Sequence, residues 1–244
     1  NTLGAQDENA ISDLSSAGAG HNATRSGSIS GNSISDIPGL DSDGIIESLS
    51  AGGTATSTMT IEKNAISNMG GYGIDVENDG TTAQSASSVT TIEHNTLNRI
   101  GLGGIDAVGI EPTITANKIT SVGLAGESGI AAAGIYVNHT PGQGSVTCNL
   151  DYGNPRGVDY GVDNPASGAS GHNGDPKTND NSFKDPSSSN RNSTDISSDN
   201  AGVNPTDAQS NYWGGTPRLY PPTTRYDTSP TLTTAAKCVA TAGA

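Results

Sequence analysis

The chain has 244 residues, 33 of them glycine and 12 proline, with 31% hydrophobic residues and a formal net charge of -14 from 11 Lys+Arg against 25 Asp+Glu. This acidic balance repels nucleic acid and anionic membrane surfaces, and also acidic polysaccharides unless a divalent cation bridges them. No apolar run is long enough for membrane insertion, and so little apolar content would describe a disordered chain if it were not placed at fixed offsets.

From the N-terminus onward, look-alike segments recur: NAISDL at Asn9, NSISDI at Asn32, NAISNM at Asn64, NTLNRI at Asn95 and NKITSV at Asn117, then weaker copies at Asn149 and Asn181. The gaps are 23, 32, 31, 22, 32 and 32 residues, and self-similarity at such a period is the mark of a solenoid. An aliphatic precedes the asparagine by three residues (Ile29, Ile61, Ile92, Ile114, Val146), and others follow it by two and by five. A Gly-Ile step comes later in the unit, at Gly44-Ile45, Gly73-Ile74, Gly104-Ile105, Gly129-Ile130 and Gly134-Ile135. Polar residues flank each aliphatic, which predicts short strands with one buried face, and no stretch carries helical periodicity.

The predicted fold is therefore all-β: a single-stranded right-handed parallel β-helix with long loops and an extended C-terminal tail. One unit forms one coil, and coils stack at about 4.8 Å. Asn9, Asn32, Asn64, Asn95, Asn117, Asn149 and Asn181 are expected to form a structural ladder, each taking the left-handed turn backbone and bonding to the coils above and below. A propeller would need more aromatics than 7 Tyr, 1 Trp and 1 Phe, and a sandwich would not impose such uniform ladders. Residues 1–215 are assigned to the β-helix, with long loop insertions in 151–210. Residues 216–244 are read as a proline-rich connector and a final strand.

Cys148 and Cys238 point to one disulfide tying the tail to the stack. The sequons at Asn22, Asn138 and Asn192 fit an exported, glycosylated chain. Numbering starts inside repeat-like sequence, so any export signal is read as already removed.

Coils of the form TIEKNAISNM and TIEHNTLNRI, each followed by Gly-Ile, resemble the right-handed parallel β-helix repeats of the pectate-lyase-like superfold, nearest to its surface and periplasmic repeat proteins. The run Asn211-Tyr212-Trp213-Gly214 is similar to the Asn-Trp-Trp-Gly element that closes such stacks, with Tyr212 in place of the first aromatic. The resemblance covers residues 5–215. It implies a fold rather than an activity, because this superfold hosts enzymes, adhesins and inert scaffolds.

Enzymes of that superfold carry carboxylates on one exposed sheet. Asp75, Asp106, Asp159 and Asp163 follow Gly-Ile or Gly-Val steps, and alternation would point Asp75 and Asp106 outward. About 5 Å apart, they would suit a retaining glycosidase pair or oxygen ligands for calcium, the one cofactor the pattern allows. Glu62 and Glu93 match on successive coils and would need a cation or Lys63 between them. The paired aspartates, Gly-His-Gly and Arg-x-Lys of polygalacturonases are missing, and so is a pectate-lyase arginine motif, so no catalytic residue is assigned. Asp41-Ser-Asp43-Gly44 begins like a calcium loop but lacks the later ligands. His21, His94, His139 and His172 have no metal-ligand spacing. Pairs such as Thr58-Met-Thr60 and Thr113-Ile-Thr115 are expected out of register, because coil lengths vary, which argues against an ice-binding face.

The function expected is that of an extracellular or cell-surface structural protein, glycosylated, assembling end to end into a filament or stalk as the tail strand pairs with a neighbouring subunit. The alternatives are a polysaccharide-binding or polysaccharide-degrading protein acting through the sheet of Asp75 and Asp106, near Tyr72, Tyr136 and Tyr160, and a monomeric adhesin domain.

Overall fold

The structure, a computed structural model, describes residues 2–4, 9–17, 21–40, 42–51, 55–78, 87–125, 132–138, 144–161, 177–198, 206–220 and 226–243. Gly129-Ile130, Asp41, Asp163, His139 and His172 lie outside them. Over the described residues the chain is an all-β solenoid whose successive turns visit three parallel sheets, the last turns reaching the first only through isolated bridges at Ser182 and Tyr212. The first holds Thr2–Gly4, Ser33–Ile37, Ala65–Met69, Thr96–Ile100, Lys118–Thr120 and Leu150–Tyr152. The second holds Ile11–Ala17, Ile45–Ala51, Ile74–Asn78, Ile105–Val108, Ala133–Asn138, Arg156–Tyr160, Thr194–Ser198 and Leu219–Tyr220. The third runs from Ala23–Ser30 through Ala55–Glu62, Ser87–Glu93, Glu111–Thr115, Ser145–Thr147, Lys177–Asn179 and Thr206–Asp207 to Tyr226–Asp227.

Like stacks on like because the pairing is in register. Ile34, Ile66, Leu97 and Ile119 form one interior column. Ile45, Ile74, Ile105, Ile135, Val158 and Ile196 form a second. Ile29, Ile61, Ile92, Ile114 and Val146 form the third. These three aliphatic columns, one per sheet, run the length of the core and are filled out by Ile37, Met69 and Ile100 and by Val76, Ala107 and Val137, which explains how so few apolar residues suffice.

The interior changes character at its two ends. In the first turns Arg25 pairs inside the solenoid with Glu47 and reaches Asp13, while Ser57 Oγ donates to Glu47 at 3.0 Å. In the last turns Phe183 stacks on Trp213 with ring centroids 5.2 Å apart. Asp151 continues the column of Ile34 and Ile119. It is wholly buried beneath the Asn154 and Asn192 amides, and burial raises its pKa to about 7.

One corner carries an amide ladder through Asn32, Asn64, Asn95, Asn117, Asn149, Asn181 and Asn211. From Asn64 onward the Oδ1 of each asparagine accepts the backbone N–H and one Nδ2–H of the asparagine one turn earlier, at 2.9–3.1 Å. The other Nδ2–H of Asn64, Asn95, Asn117, Asn149 and Asn181 donates to a carbonyl of the preceding turn (Ile29, Ile61, Ile92, Ile114 or Val146).

Asn9 is a correction: its strand Ile11–Ala17 pairs in the second sheet with Ile45–Ala51, so it sits at another corner. There its Oδ1 accepts the Asp43 N–H at 2.7 Å, and Asp43 Oδ1 accepts that of Tyr72 at 2.6 Å. The backbone expectation is also corrected. The left-handed residue is the one before each ladder asparagine: Gly31, Lys63, His94, Ala116, Cys148, Asp180 and Ser210, with φ between 54° and 65°. A tight turn there aims the next side chain inward.

Three further expectations change. Residues 151–210 are not only loops, since Arg156–Tyr160, Lys177–Asn179 and Thr194–Ser198 extend two sheets. The tail is not an extended strand: Lys237–Thr241 is a 3-10 helix, and Cys238 is disulfide-bonded to Cys148. The threonines do fall in register, because length varies between strands rather than within them. Ser28, Thr60, Thr91, Thr113 and Ser145 form one outer column of the third sheet. The adjacent column is broken by Glu62 and Glu93, so no unbroken Thr-x-Thr surface results.

Candidate functional site on the second sheet

The outward column of the second sheet runs Ile46, Asp75, Asp106, Tyr136, Asp159, Ser197. Asp75 and Asp106 are thus direct neighbours on adjacent strands, and Asp159 lies two turns beyond. The neighbouring residues Ile74 and Ile105 point into the core, as alternation requires.

Outward does not mean exposed. Asp75 is 6% and Asp106 7% exposed, against the expectation of two solvated carboxylates. Tyr72, from the turn before Ile74, lies with its ring against Gly103, and its side chain hydrogen-bonds Asp106. Tyr136 follows in the same column with its hydroxyl over Gly161. One oxygen of each aspartate, Oδ1, is buried without a hydrogen-bond partner.

Burial is the main force on both acids. It raises Asp75 to about 9, with the charges of Asp106, Glu77 and Asp43 adding to the effect. It raises Asp106 to about 7, reinforced by Glu77 and Asp43 and opposed by hydrogen bonds from Ala107 and Tyr72. Asp159 is handled differently, by the Arg156 guanidinium and a 2.6 Å bond from Ser197 Oγ. Chemically, Asp75 and Asp106 are two adjacent carboxyls that prefer to share a proton over carrying two charges.

The other candidates are not brought to this place. Glu62 and Glu93 are in register with each other on the third sheet, where Lys63 Nζ lies 2.8 Å from Glu62 Oε2. The four acids first considered as metal ligands therefore split into two separate pairs. Among the described residues no three His, Cys, Asp or Glu side chains converge as a metal site would require. Asp43 caps the Tyr72 amide rather than opening a calcium loop. His94 sits at the ladder corner, 3.4 Å from the Thr241 carbonyl, and His21 is exposed.

Of the sequon asparagines, Asn22 is exposed and Asn138 half-buried. Asn192 is 0% exposed: its Oδ1 accepts the Asn154 N–H, and its Nδ2 donates to the Asp151 carbonyl, leaving no room for a glycan on this fold. That sequon is corrected to a structural amide. Tyr72, Asn154 and Asn192 were missed as members of buried networks, and only Asn192 stood in a recognisable motif. Comparison with known proteins adds no identity: the chain matches no family model, no curated protein and no solved structure.

Proposed function

We propose that the chain is an extracellular structural protein, a right-handed β-helix of the surface type in the pectate-lyase-like superfold, forming a rigid segment of a filament or stalk. The observation that supports this most is the amide ladder, which runs without a break from Asn32 to Asn211. Such a column resists slippage between turns and gives a stiff rod at low apolar content. The Cys148–Cys238 disulfide favours an oxidising compartment, and Asn22 is the sequon most open to a glycan.

The tail does not serve assembly as a donated strand. It folds back in cis, with the Gly243 N–H donating to the Ala116 carbonyl at 2.8 Å and Thr96 Oγ1 to the Gly243 carbonyl at 3.0 Å. End-to-end contact would instead run through strand edges at the ends of the stack. Negative-stain imaging of purified protein should show rods joined end to end, and isolated particles at every concentration would remove the assembly and leave a monomeric adhesin domain.

A second reading, action on a polysaccharide, has one observation in its favour: two adjacent carboxyls on one sheet face with unequal affinities for a proton. It requires Tyr72 to move aside. Sugar release by wild type that Asp75→Asn and Asp106→Asn both abolish would support it, and no release by wild type would end it. Calcium between the two acids is the other way to neutralise them, and would appear as a melting temperature raised by calcium only while both are present.

A further inference from the structure

Near the ends of four successive strands of the first sheet runs a second left-handed column, Asp36, Asn68, Arg99 and Ser121, with φ of 62°, 55°, 60° and 58°. Asp and Asn accept this backbone readily, whereas arginine does not. Directly beyond this column lies a groove of about 270 Å³. Its floor is Met69 with the bare backbone of Gly70 and Gly101, where any Cβ would overlap the carbonyl of the turn before. Its walls include Leu40 and Leu124, 60% and 55% exposed, two of the five large hydrophobic side chains that stand exposed among the described residues.

Arg99 lines the same groove. Its Nε–H donates to Asn68 Oδ1 at 2.8 Å, and Asn68 Nδ2 donates to Asp36 Oδ1 at 2.9 Å, which fixes the guanidinium from behind. Arg25, Lys63, Arg156 and Arg191 are each in an ion pair. Among the described residues Arg99 is in none, and nothing there accepts a hydrogen bond from its two terminal nitrogens. A pre-oriented cationic fork thus stands over an apolar trough in a chain of net charge -14.

We propose that this groove binds an amphiphilic carboxylate, its apolar body between Leu40 and Leu124 and its charged end on the Arg99 fork. Charge complementarity selects the head group: a planar fork with two parallel donors matches a carboxylate, and a single positive charge matches a single negative one. Size selects the body. The groove, about 270 Å³ and open to solvent, has room for a short alkyl chain. Displacing water from the two leucines supplies the affinity, and the arginine supplies the orientation. The site is independent of the scaffold role proposed above, and either can fail without the other.

Octanoate is the probe, with acetate and octanol as controls, read by chemical-shift changes of labelled leucine methyl groups. Octanoate should shift the Leu40 and Leu124 methyls saturably, with acetate and octanol each at least about tenfold weaker. Arg99→Gln should weaken octanoate about tenfold, a loss typical of one charge-assisted pair, and leave octanol unchanged. Leu124→Asn should weaken both. Both residues are exposed, and unchanged melting curves would show the variants folded. The proposal is overturned if octanoate produces no saturable shift at these methyls, if Arg99→Gln binds it equally well, or if acetate competes as strongly, which would mark an adventitious anion only.

Discussion

An asparagine in the ladder spends its whole hydrogen-bonding capacity, two donors and two lone pairs, on the turns either side. Asn95→Ala therefore orphans several buried groups at once, and thermal or urea melts should show a loss of about 3 kcal/mol. Asn9→Ala removes a single acceptor and should cost about 1 kcal/mol, so equal losses would contradict the assignment of two different corners. The buried acids set the pH response. Asp75 and Asp106 hold protons in the folded state that the unfolded chain, with aspartates near 4, has already released. Their contribution is complete below pH about 4 and is lost as pH rises through about 7 and then about 9. The melting temperature should fall across that window, and Asp75→Asn should raise it at pH about 8 by removing a buried acid that must take up a proton to fold. A melting temperature rising from pH about 5 to about 9 would contradict the sign.

At the scale of the turn, the backbone strain sits in the left-handed columns. Ala116 has φ of 54°, and Ala116→Gly should stabilise by about 0.5–1 kcal/mol, since relief of the left-handed penalty exceeds the extra chain entropy. A destabilised variant in calorimetry would mean that the Ala116 methyl packs better than its backbone suffers. These columns also mark how far sequence reasoning reaches. The strands were legible because Ile61, Ile66 and Ile74 recur in every turn at offsets that only a three-sided coil satisfies. The left-handed residues were not, because Lys63, His94 and Cys148 bear no turn signature and are forced into it by the asparagine that follows. Asn9 misled because NAISDL and NSISDI are nearly one string, and only strand pairing shows that the first leads into a different sheet. The burial of Asp75 and Asp106 could not be read from alternation, because Tyr72 comes from the adjoining turn. Residues 151–210 looked like loops because Asp151 and Thr178 occupy inward positions that aliphatics fill elsewhere.

For the whole molecule, the disulfide closes a loop between residues 90 apart in sequence. Cys238→Ser should lower stability by about 4–5 kcal/mol on the chain-entropy account, measured as a shifted denaturant midpoint. The tail it anchors touches the turns of His94, Thr96, Ala116 and Cys148, while its Leu232 N–H bonds the Asn211 carbonyl. Turns from Asn95 onward are therefore lashed together, whereas those of Asn32 and Asn64 lie outside the lashing and enclose the charges of Arg25 and Glu47. Warmed or pulled, the molecule should fray from that side, its early coils peeling singly before the lashed portion gives way in one event. Hydrogen exchange should find the amides of Ile34 and Ile66 opening well ahead of those of Ile119 and Phe183, and Cys238→Ser should erase the difference. The solenoid would then behave less like a uniform rod than like a rope with one whipped end, whose compliance is concentrated where the binding stops.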